Sequence, residues 1–316
     1  MPTRRSSVVA VTAISVLGTF AVASGQDSSG NASLKDEATL TPSGDSIALD
    51  IDSGRPVLRG ILTFEQKYGY VITYEDPSYV YSLDTLDATS QVRRDHRTAG
   101  PGVPKIRLPR ASKLSIQIPA SPCITPSQMG SLLFQLVSLQ QASSSGGHYR
   151  TEQSKSGSIF HVIPTEVRGP NGDWSQQASP LDTRISFPAQ PRTERQLLAA
   201  IAHAVSAAAH VRMSANVNGG IVMQIGPPQP YYFNIGANNE VAREVLTKML
   251  DARPQTRQSW ALMNAVEEGP NIYFLDVMDM PPSPACQSSN PPPPPPGSQP
   301  GCISCGPPAS PPSSVN

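Results

Sequence analysis

Short stretches of alternating hydrophobic and polar residues recur along the middle of the chain, and each leads into apolar residues at helical spacing. Residues 47–51 alternate apolar with polar positions, which predicts a half-buried strand. Apolar residues between 57 and 68 follow a helical period, and Gly69 is suited to the position that ends a helix. The β-branched and aromatic run 70–74 predicts a second strand, so the first unit is strand, helix, strand.

The second unit begins with clean alternation over residues 114–118. Residues 125–128, Thr-Pro-Ser-Gln, fit a capping box with proline at the first helical position. Two further strands are predicted at 148–153 and 159–167, joined by a Ser/Gly turn. The helix between carries one apolar stripe, formed by Met129, Leu132, Leu133, Leu136 and Val137.

A third unit follows the same plan. Residues 183–187 predict a strand, and residues 193–196 form a second capping box. The helix that they open has Leu197, Leu198 and Ile201 on one side, and a short strand at 211–215 comes after it.

The fourth unit has a strand at 231–235 and a helix that extends to Leu250. Asn238 or Asn239 is the predicted N-cap of this helix, because asparagine side chains accept hydrogen bonds from the first turn. A hairpin of strands 258–264 and 271–278 closes the unit.

Together the four units predict an α+β fold of repeated small β-α-β(-β) modules, with helices packed on one face of short sheets. The alternative is that the units share only the patterning of any α+β chain. The predicted organisation, in chain order, is a signal peptide (1–25), a flexible linker (26–45), a first β-α-β module with a loop (46–110), a second β-α-β-β module (111–180), a third and a fourth module (181–280) and a Pro-rich disordered tail (281–316).

The N-terminus is typical of a secretory signal peptide. Arg4 and Arg5 precede an uncharged, apolar stretch at 8–23, which ends in the Ala-Val-Ala cleavage pattern of residues 21–23. A retained membrane anchor is the alternative, but the stretch is shorter than the ~20 residues that a spanning helix needs. The sequence therefore predicts a periplasmic or secreted protein, with no stable membrane insertion after signal cleavage.

Charge and composition narrow the class of partner. Lys and Arg number 24 and Asp and Glu number 24, so the formal net charge is zero. Because no basic cluster lies beyond the signal, nucleic acid is not a predicted partner. The unbroken prolines 291–296 favour polyproline II rather than a packed core in the tail.

Four cysteines are the strongest candidates for covalent chemistry. Cys302 and Cys305 form a CxxC pair, which could act as a thiol redox site, but they lie in a Pro/Gly-rich tail and not at a helix N-terminus. Surface disulfides are favoured instead in an oxidising compartment, with Cys302 paired to Cys305 and Cys123 to Cys286 among the three possible connectivities.

Other catalytic and metal-binding patterns are absent from the sequence. It contains no G-x-S-x-G, no H-E-x-x-H and no phosphate-binding glycine loop. His203 and His210 are about 10.5 Å apart along one helix, which is too far to bind one metal. No cofactor and no metal are predicted. A tyrosine-rich segment is the candidate interaction surface, because tyrosine is enriched at interfaces; its residues are Tyr70, Tyr74, Tyr79 and Tyr81.

Three of the units resemble a known family. Residues 185–191, Ile-Ser-Phe-Pro-Ala-Gln-Pro, are followed by a helix and a short strand. This order is similar to the small secretin and TonB-receptor N-terminal (STN) domain, and residues 233–246 and 50–74 are similar to it as well. The resemblance implies a periplasmic protein-interaction module without catalytic residues. No channel domain or barrel follows in this sequence, so the modules would stand alone.

These observations favour an exported, non-enzymatic protein-interaction or envelope-assembly module. Its expected partner is an unknown envelope or extracellular protein. The alternative is a periplasmic enzyme, either a thiol redox protein that uses the tail CxxC or a hydrolase. A purely structural envelope component is a third possibility.

Overall fold

The computed structural model describes residues 36–89, 105–143, 146–218, 231–253, 257–266 and 269–281. The fold is α+β, as the sequence predicts. The strands are β1 (Glu37–Ser43), β2 (Ser46–Ser53), β3 (Val71–Glu75), β4 (Thr85–Asp87), β5 (Arg107–Pro109), β6 (Ser112–Pro119), β7 (His148–Gln153), β8 (Ile159–Arg168), β9 (Trp174–Gln176), β10 (Arg184–Thr193), β11 (Arg212–Asn218), β12 (Tyr232–Val241), β13 (Gln258–Asn264) and β14 (Ile272–Asp279). The α-helices are α1 (Pro56–Tyr68), α2 (Pro126–Ala142), α3 (Glu194–Ala209) and α4 (Ala242–Asp251), with short 3-10 turns η1 (Ser82–Asp84) and η2 (Pro180–Asp182).

Helix ends follow the local chemistry of the sequence at most positions. Thr125 and Thr193 each accept a hydrogen bond in a complete capping box, at the start of α2 and α3. Gly69 ends α1 in the left-handed region, with φ of 71°. The predicted N-cap at Asn238 or Asn239 is wrong. Strand β12 continues through both residues to Val241, with a register shift at these positions. Side chains of β10 satisfy the Asn239 backbone, since its N–H donates to the Ser186 hydroxyl and its carbonyl accepts from Arg184.

Strand β1 lies inside the segment 26–45, for which the sequence predicts a linker. It forms a hairpin with β2, in which Leu40 pairs with Leu49, and Gly44 turns the chain with φ of 61°. The residues of β1 are mostly exposed, so the segment has a polar composition although it is paired. Pairing with a neighbouring strand, rather than apolar content, determines the conformation here.

The structure joins the predicted units in pairs. A first half contains β1 to β9 with α1 and α2, and a second half contains β10 to β14 with α3 and α4. Both halves share the order strand, helix, strand, then strand, helix, strand, strand. In the first half these are β2-α1-β3 and β6-α2-β7-β8, and in the second half β10-α3-β11 and β12-α4-β13-β14. The pairing also repeats, since β2 with β6 and β10 with β12 are antiparallel.

One large sheet runs through both halves. Its strand order is β11-β14-β13-β3-β8-β7, with β9 alongside β8. In each half the second strand of the shared order pairs parallel with the last, as β3 with β8 and β11 with β14. The two halves meet where β3 pairs parallel with β13, through Ala261 opposite Tyr74 and Leu262 opposite Glu75. The helices of each half lie between this sheet and a smaller one, β1-β2-β6 or β10-β12.

Each half packs its core on a different face of the large sheet. Side chains alternate along a strand, so Ile72 and Tyr74 of β3 join the first-half core. Thr73 and Glu75 project to the other face, where Glu75 meets Arg243 of helix α4 at 2.6 Å. Trp260 and Leu262 of β13 belong to the second-half core on that face. Strand β3 is therefore buried on both faces by two separate cores.

A glycine permits the close packing of the two first-half helices. A Cβ added to Gly60 of α1 would lie 2.8 Å from the Leu136 side chain of α2 and 3.2 Å from Ile51. Contacts that short do not occur between unstrained atoms. In α2, by contrast, a Cβ at Gly130 would meet Phe160 at an ordinary 3.8 Å.

Candidate interaction surface

A buried polar network lies where β3 and β13 join the two halves. Asp76 is fully buried, and its carboxylate accepts hydrogen bonds from Tyr74 Oη at 2.7 Å, Arg55 Nε at 2.6 Å and the Asn264 N–H at 3.0 Å. Tyr74 also contacts the Tyr149 hydroxyl at 3.0 Å. Burial, with the nearby Asp76 charge, raises the pKa of Tyr74 well above its ordinary value. These groups satisfy one another, which suits them to holding the halves together.

A second buried network lies on the other face of β3. Glu75 Oε1 accepts from Arg243 Nε at 2.6 Å, and Arg243 Nη1 donates to Asp182 at 2.6 Å. The hydroxyl of Ser179 donates to the second oxygen of Glu75. Burial raises the pKa of Glu75, and the Arg243 cation and the Ser179 hydrogen bond oppose that rise. Ser179 donates to this carboxylate, and its hydroxyl oxygen accepts from the Leu181 N–H at 3.0 Å.

The four tyrosines of the predicted interaction surface occupy different environments. Tyr74 is 1% exposed and belongs to the core. Tyr70 is half-buried and donates its hydroxyl hydrogen bond to the Ile124 carbonyl at 2.7 Å. Tyr79 is also half-buried, and burial raises the pKa of its phenol. Tyr81 is half-buried with its ring against a cation, so it can contribute to a surface.

An aromatic and cationic cluster forms around Tyr81. The Arg168 guanidinium lies 4.8 Å from the centre of the Tyr81 ring and 5.6 Å from that of Trp174. The Trp174 ring stacks on His148, with ring centres 3.8 Å apart and planes 23° from parallel. His148 Nδ1 lies 2.7 Å from the Glu166 carboxylate. We call these five residues the aromatic cluster.

Secondary structure and a buried carboxylate fix the cluster in place. Strand β9 carries Trp174 and pairs with the end of β8, which carries Glu166 and Arg168. Arg168 makes a two-pronged contact with Asp84, which is 5% exposed. Burial raises the pKa of Asp84, and the hydrogen bond and charge of Arg168 oppose that rise. Asp84 therefore holds the Arg168 guanidinium within cation–π distance of the Tyr81 and Trp174 rings.

Trp174 exposes part of the cluster to solvent, and exposed apolar residues lie next to it. Trp174 is 39% exposed, and Val80 and Leu83, on either side of Tyr81 in the chain, are 36% and 59% exposed. Tryptophan, tyrosine and arginine are the residues most often found at the energetic centres of protein interfaces. The interactions that these groups can make are stacking, cation–π contact and burial of apolar area.

The segment that carries the STN resemblance lines a groove of about 600 Å³ between β10 and β12. Phe187 and Pro188 form one wall and Ala237 and Asn238 another. A Cβ at Gly236 would lie 2.4 Å from the backbone nitrogen of Ala189, so glycine permits this close approach. The groove is shallow, and the charged residue that lines it, Glu240, is half-buried.

Sequence reasoning identified Tyr81 but not the residues that surround it. Trp174 and Arg168 are distant in the chain from Tyr81, and only the pairing of β8 with β9 brings them together. The sequence signal that could have indicated this surface is Trp174, one of the chain's two tryptophans, which follows a Gly/Asn/Asp turn and is exposed. No sequence pattern marks His148, which in the fold stacks on Trp174.

Cys123 is disulfide-bonded. Cys286, Cys302 and Cys305 lie outside the described residues, so the predicted pairing of Cys123 with Cys286 and the redox alternative stay predictions. The predicted signal peptide and all but the first residue of the predicted tail lie outside them as well. Among the described residues, no group of three or more His, Cys, Asp or Glu is placed to bind a metal. Within the same ranges, no helix has the length and hydrophobicity needed to cross a membrane.

A scan against protein-family models found no match, and searches of curated proteins and of solved structures found no similar protein.

Proposed function

We propose that this chain is an exported, non-enzymatic protein-interaction or envelope-assembly module that binds a partner protein through the aromatic cluster. The observation that carries the proposal is the exposed Trp174, whose ring stacks on His148 and lies 5.6 Å from the Arg168 guanidinium. A rigid aromatic side chain loses little conformational entropy on binding and buries a large area, which is why such residues dominate interface energies.

The internal repeat supports an STN-like identity for the modules. The resemblance lies in the first, third and fourth predicted units, and the first and third open two halves with the same order of elements. For STN domains the expected role is protein interaction in the envelope. The leader-like N-terminus, with its Ala-Val-Ala pattern, supports export.

Capture of partners under crosslinking tests this function. The full chain is expressed with its own leader, crosslinked to its neighbours and recovered. Its measured mass is compared with the mass expected after cleavage of about 25 leader residues. We expect a defined crosslinked partner that is lost in Trp174→Ala. The matched control is Phe134→Ala, which removes an aromatic residue that is 65% exposed on helix α2. Equal loss in both variants, or no crosslinked partner at all, would overturn the proposal.

A further inference from the structure

The two halves of the chain are joined through unlike surfaces. In the shared order of elements, β3 is the strand after the first helix, whereas β13 is the strand after the second. Their parallel pairing therefore joins one surface of a repeat to a different surface of the next, as in a head-to-tail assembly. A contact of this kind leaves one copy of each surface unused at the two ends.

Those unused copies are the two edges of the large sheet. Strand β11 is the counterpart of β3, and β7 is the counterpart of β13. In the described part of the chain, β11 pairs only with β14 and β7 pairs only with β8. The Tyr149 carbonyl of β7 already accepts from the Gln141 side chain, and the Met213 N–H of β11 donates to the Ser206 hydroxyl. The remaining outward N–H and C=O groups of each edge can pair with another strand.

The register of the repeat identifies which residues would meet. Tyr74 and Thr151 both pair with Val162 of β8, and Ala215 and Leu262 both pair with Leu275 of β14. Tyr74 thus corresponds to Ala215 and Leu262 to Thr151. Since Ala261 lies opposite Tyr74 at the internal junction, Arg150 of one chain is expected opposite Ala215 of another.

The faces of the sheet agree with this register. Ala215 packs against the second-half core. Arg150 lies beside Tyr149, which points into the first-half core, so Arg150 projects to the opposite face, the one that carries the second-half core. Both residues therefore lie on the same face of a sheet that continues from one chain to the next.

We propose that the partner is a second copy of this chain, which adds its β11 edge to the β7 edge in parallel, head to tail, as β3 and β13 join inside each chain. This inference rests on the proposed function, because it names the partner of the surface beside the aromatic cluster. His148 belongs both to β7 and to the cluster, so the edge strand that would receive the second copy also carries one residue of the cluster.

The charged contacts of the internal junction have no counterparts between chains. Arg55 and Asp76 hold that junction, and the positions that correspond to them carry Thr193 and Val217. On β7 the charged residues Arg150 and Glu152 pair with each other at 2.7 Å. The contact between chains is accordingly weaker than the internal one, and association depends on concentration.

Sedimentation velocity of the full exported chain over a wide concentration range tests the proposal. We expect reversible growth to dimers and longer species. The Leu262 carbonyl accepts from the Asp76 N–H across the internal junction, so the backbone of its counterpart Thr151 faces outward. Thr151→Pro removes the outward-facing backbone N–H of residue 151 and leaves the hydrogen bonds between β7 and β8 in place. It should weaken association ~tenfold or more. A monomer at every concentration would overturn the inference.

Disulfide trapping provides a second measurement that does not depend on the proline variant. Chains with Arg150→Cys and chains with Ala215→Cys are mixed and oxidised. We expect a higher yield of crosslinked dimer in the mixture than in either variant alone. The single variants control for crosslinking through the native cysteines. Replacing Ala215→Cys by Arg212→Cys moves the thiol about 10 Å along β11 and should abolish the crosslink. A dimer of Arg150→Cys alone at the same yield would indicate β7 against β7 and overturn the head-to-tail arrangement.

The two proposals fail separately. If the chain is monomeric and untrapped but captures a different protein through Trp174, the second copy is excluded while the interaction function stands. If it neither associates nor captures a partner, both are overturned.

Discussion

Asp76 in the first half accepts a hydrogen bond of 3.0 Å from the backbone N–H of Asn264 in the second half, although 188 residues separate them. The same carboxylate is the counter-ion of Arg55 at 2.6 Å. One buried charge therefore ties a side chain of one half to the backbone of the other.

Removing this charge should weaken the whole fold. Asp76→Asn keeps the size of the side chain but leaves Arg55 without its counter-ion and places an amide N–H₂ among donors. We expect the free energy of unfolding to fall by about 3–5 kcal/mol in urea denaturation. Glu244→Gln is the matched control, because the Glu244 side chain that pairs with Lys155 is 48% exposed. Loss of this surface ion pair should lower the free energy of unfolding by less than about 1 kcal/mol. Similar losses in the two variants would contradict this account of the junction.

Glu65 should make the stability depend on pH. Burial raises the pKa of this carboxyl from 4.5 to about 8, partly offset by the hydrogen bond that it accepts from the Ile72 N–H. The unfolded chain releases the proton near pH 4.5 and the folded chain keeps it until about 8, so the stability falls as the pH rises through that window. Glu65→Gln keeps a side-chain oxygen that can accept from the Ile72 N–H. Between these pH values, its free energy of unfolding should rise relative to that of the parent by roughly 1 kcal/mol per pH unit. A pH-independent difference would refute the assignment.

His161 should act in the opposite direction on the acid side. Burial lowers the pKa of its imidazole from 6.5 to about 4, and its Nδ1 lies 2.7 Å from the Thr73 hydroxyl. The unfolded chain takes up a proton first, so the stability falls as the pH drops from 6.5 towards 4. Thermal unfolding across this range should show that the stability of His161→Gln falls less with decreasing pH than that of the parent protein. An unchanged pH profile would show that His161 is not buried in its neutral form.

Two helical glycines should respond oppositely to alanine. At Gly60 the new methyl would be 2.8 Å from Leu136, so we expect a loss of about 1–3 kcal/mol from overpacking between α1 and α2. At Gly130 the nearest atom is at 3.8 Å, and alanine should stabilise by about 0.5–1 kcal/mol because it has the better helix propensity. Urea denaturation of both variants measures the difference, and stabilisation by Gly60→Ala would show that the helices can separate at no cost.

Local patterns predicted most of the individual elements. The predicted strand 148–153 coincides with β7, and the capping boxes at Thr125 and Thr193 start α2 and α3. These features depend on neighbouring residues, through side-chain alternation and hydrogen bonds within one turn. The incorrect N-cap at Asn238 or Asn239 shows where this reasoning fails, because β10, distant in the chain, supplies partners that a local pattern does not reveal.

The candidate surface was only partly predictable. The tyrosine-rich pattern predicted Tyr81 as an interface residue. The same pattern includes Tyr74, which is buried and hydrogen-bonded to Asp76 and Tyr149. Alternation along β3 assigns a face to each residue, and only the packing of two cores decides which faces are closed.

The sequence by itself determined the α+β class, the four strand-helix units and the starts of α2 and α3, since hydrophobic period and capping chemistry act within a few residues. The tertiary structure decided that the units pair into two halves, that β3 meets β13, and that Trp174 stacks on His148 beside an open sheet edge. Those relationships depend on which distant strands share backbone hydrogen bonds, and every polar strand edge offers the same N–H and C=O groups. The choice among them follows from the burial of both faces of β3 at once, which the order of residues along one strand does not specify.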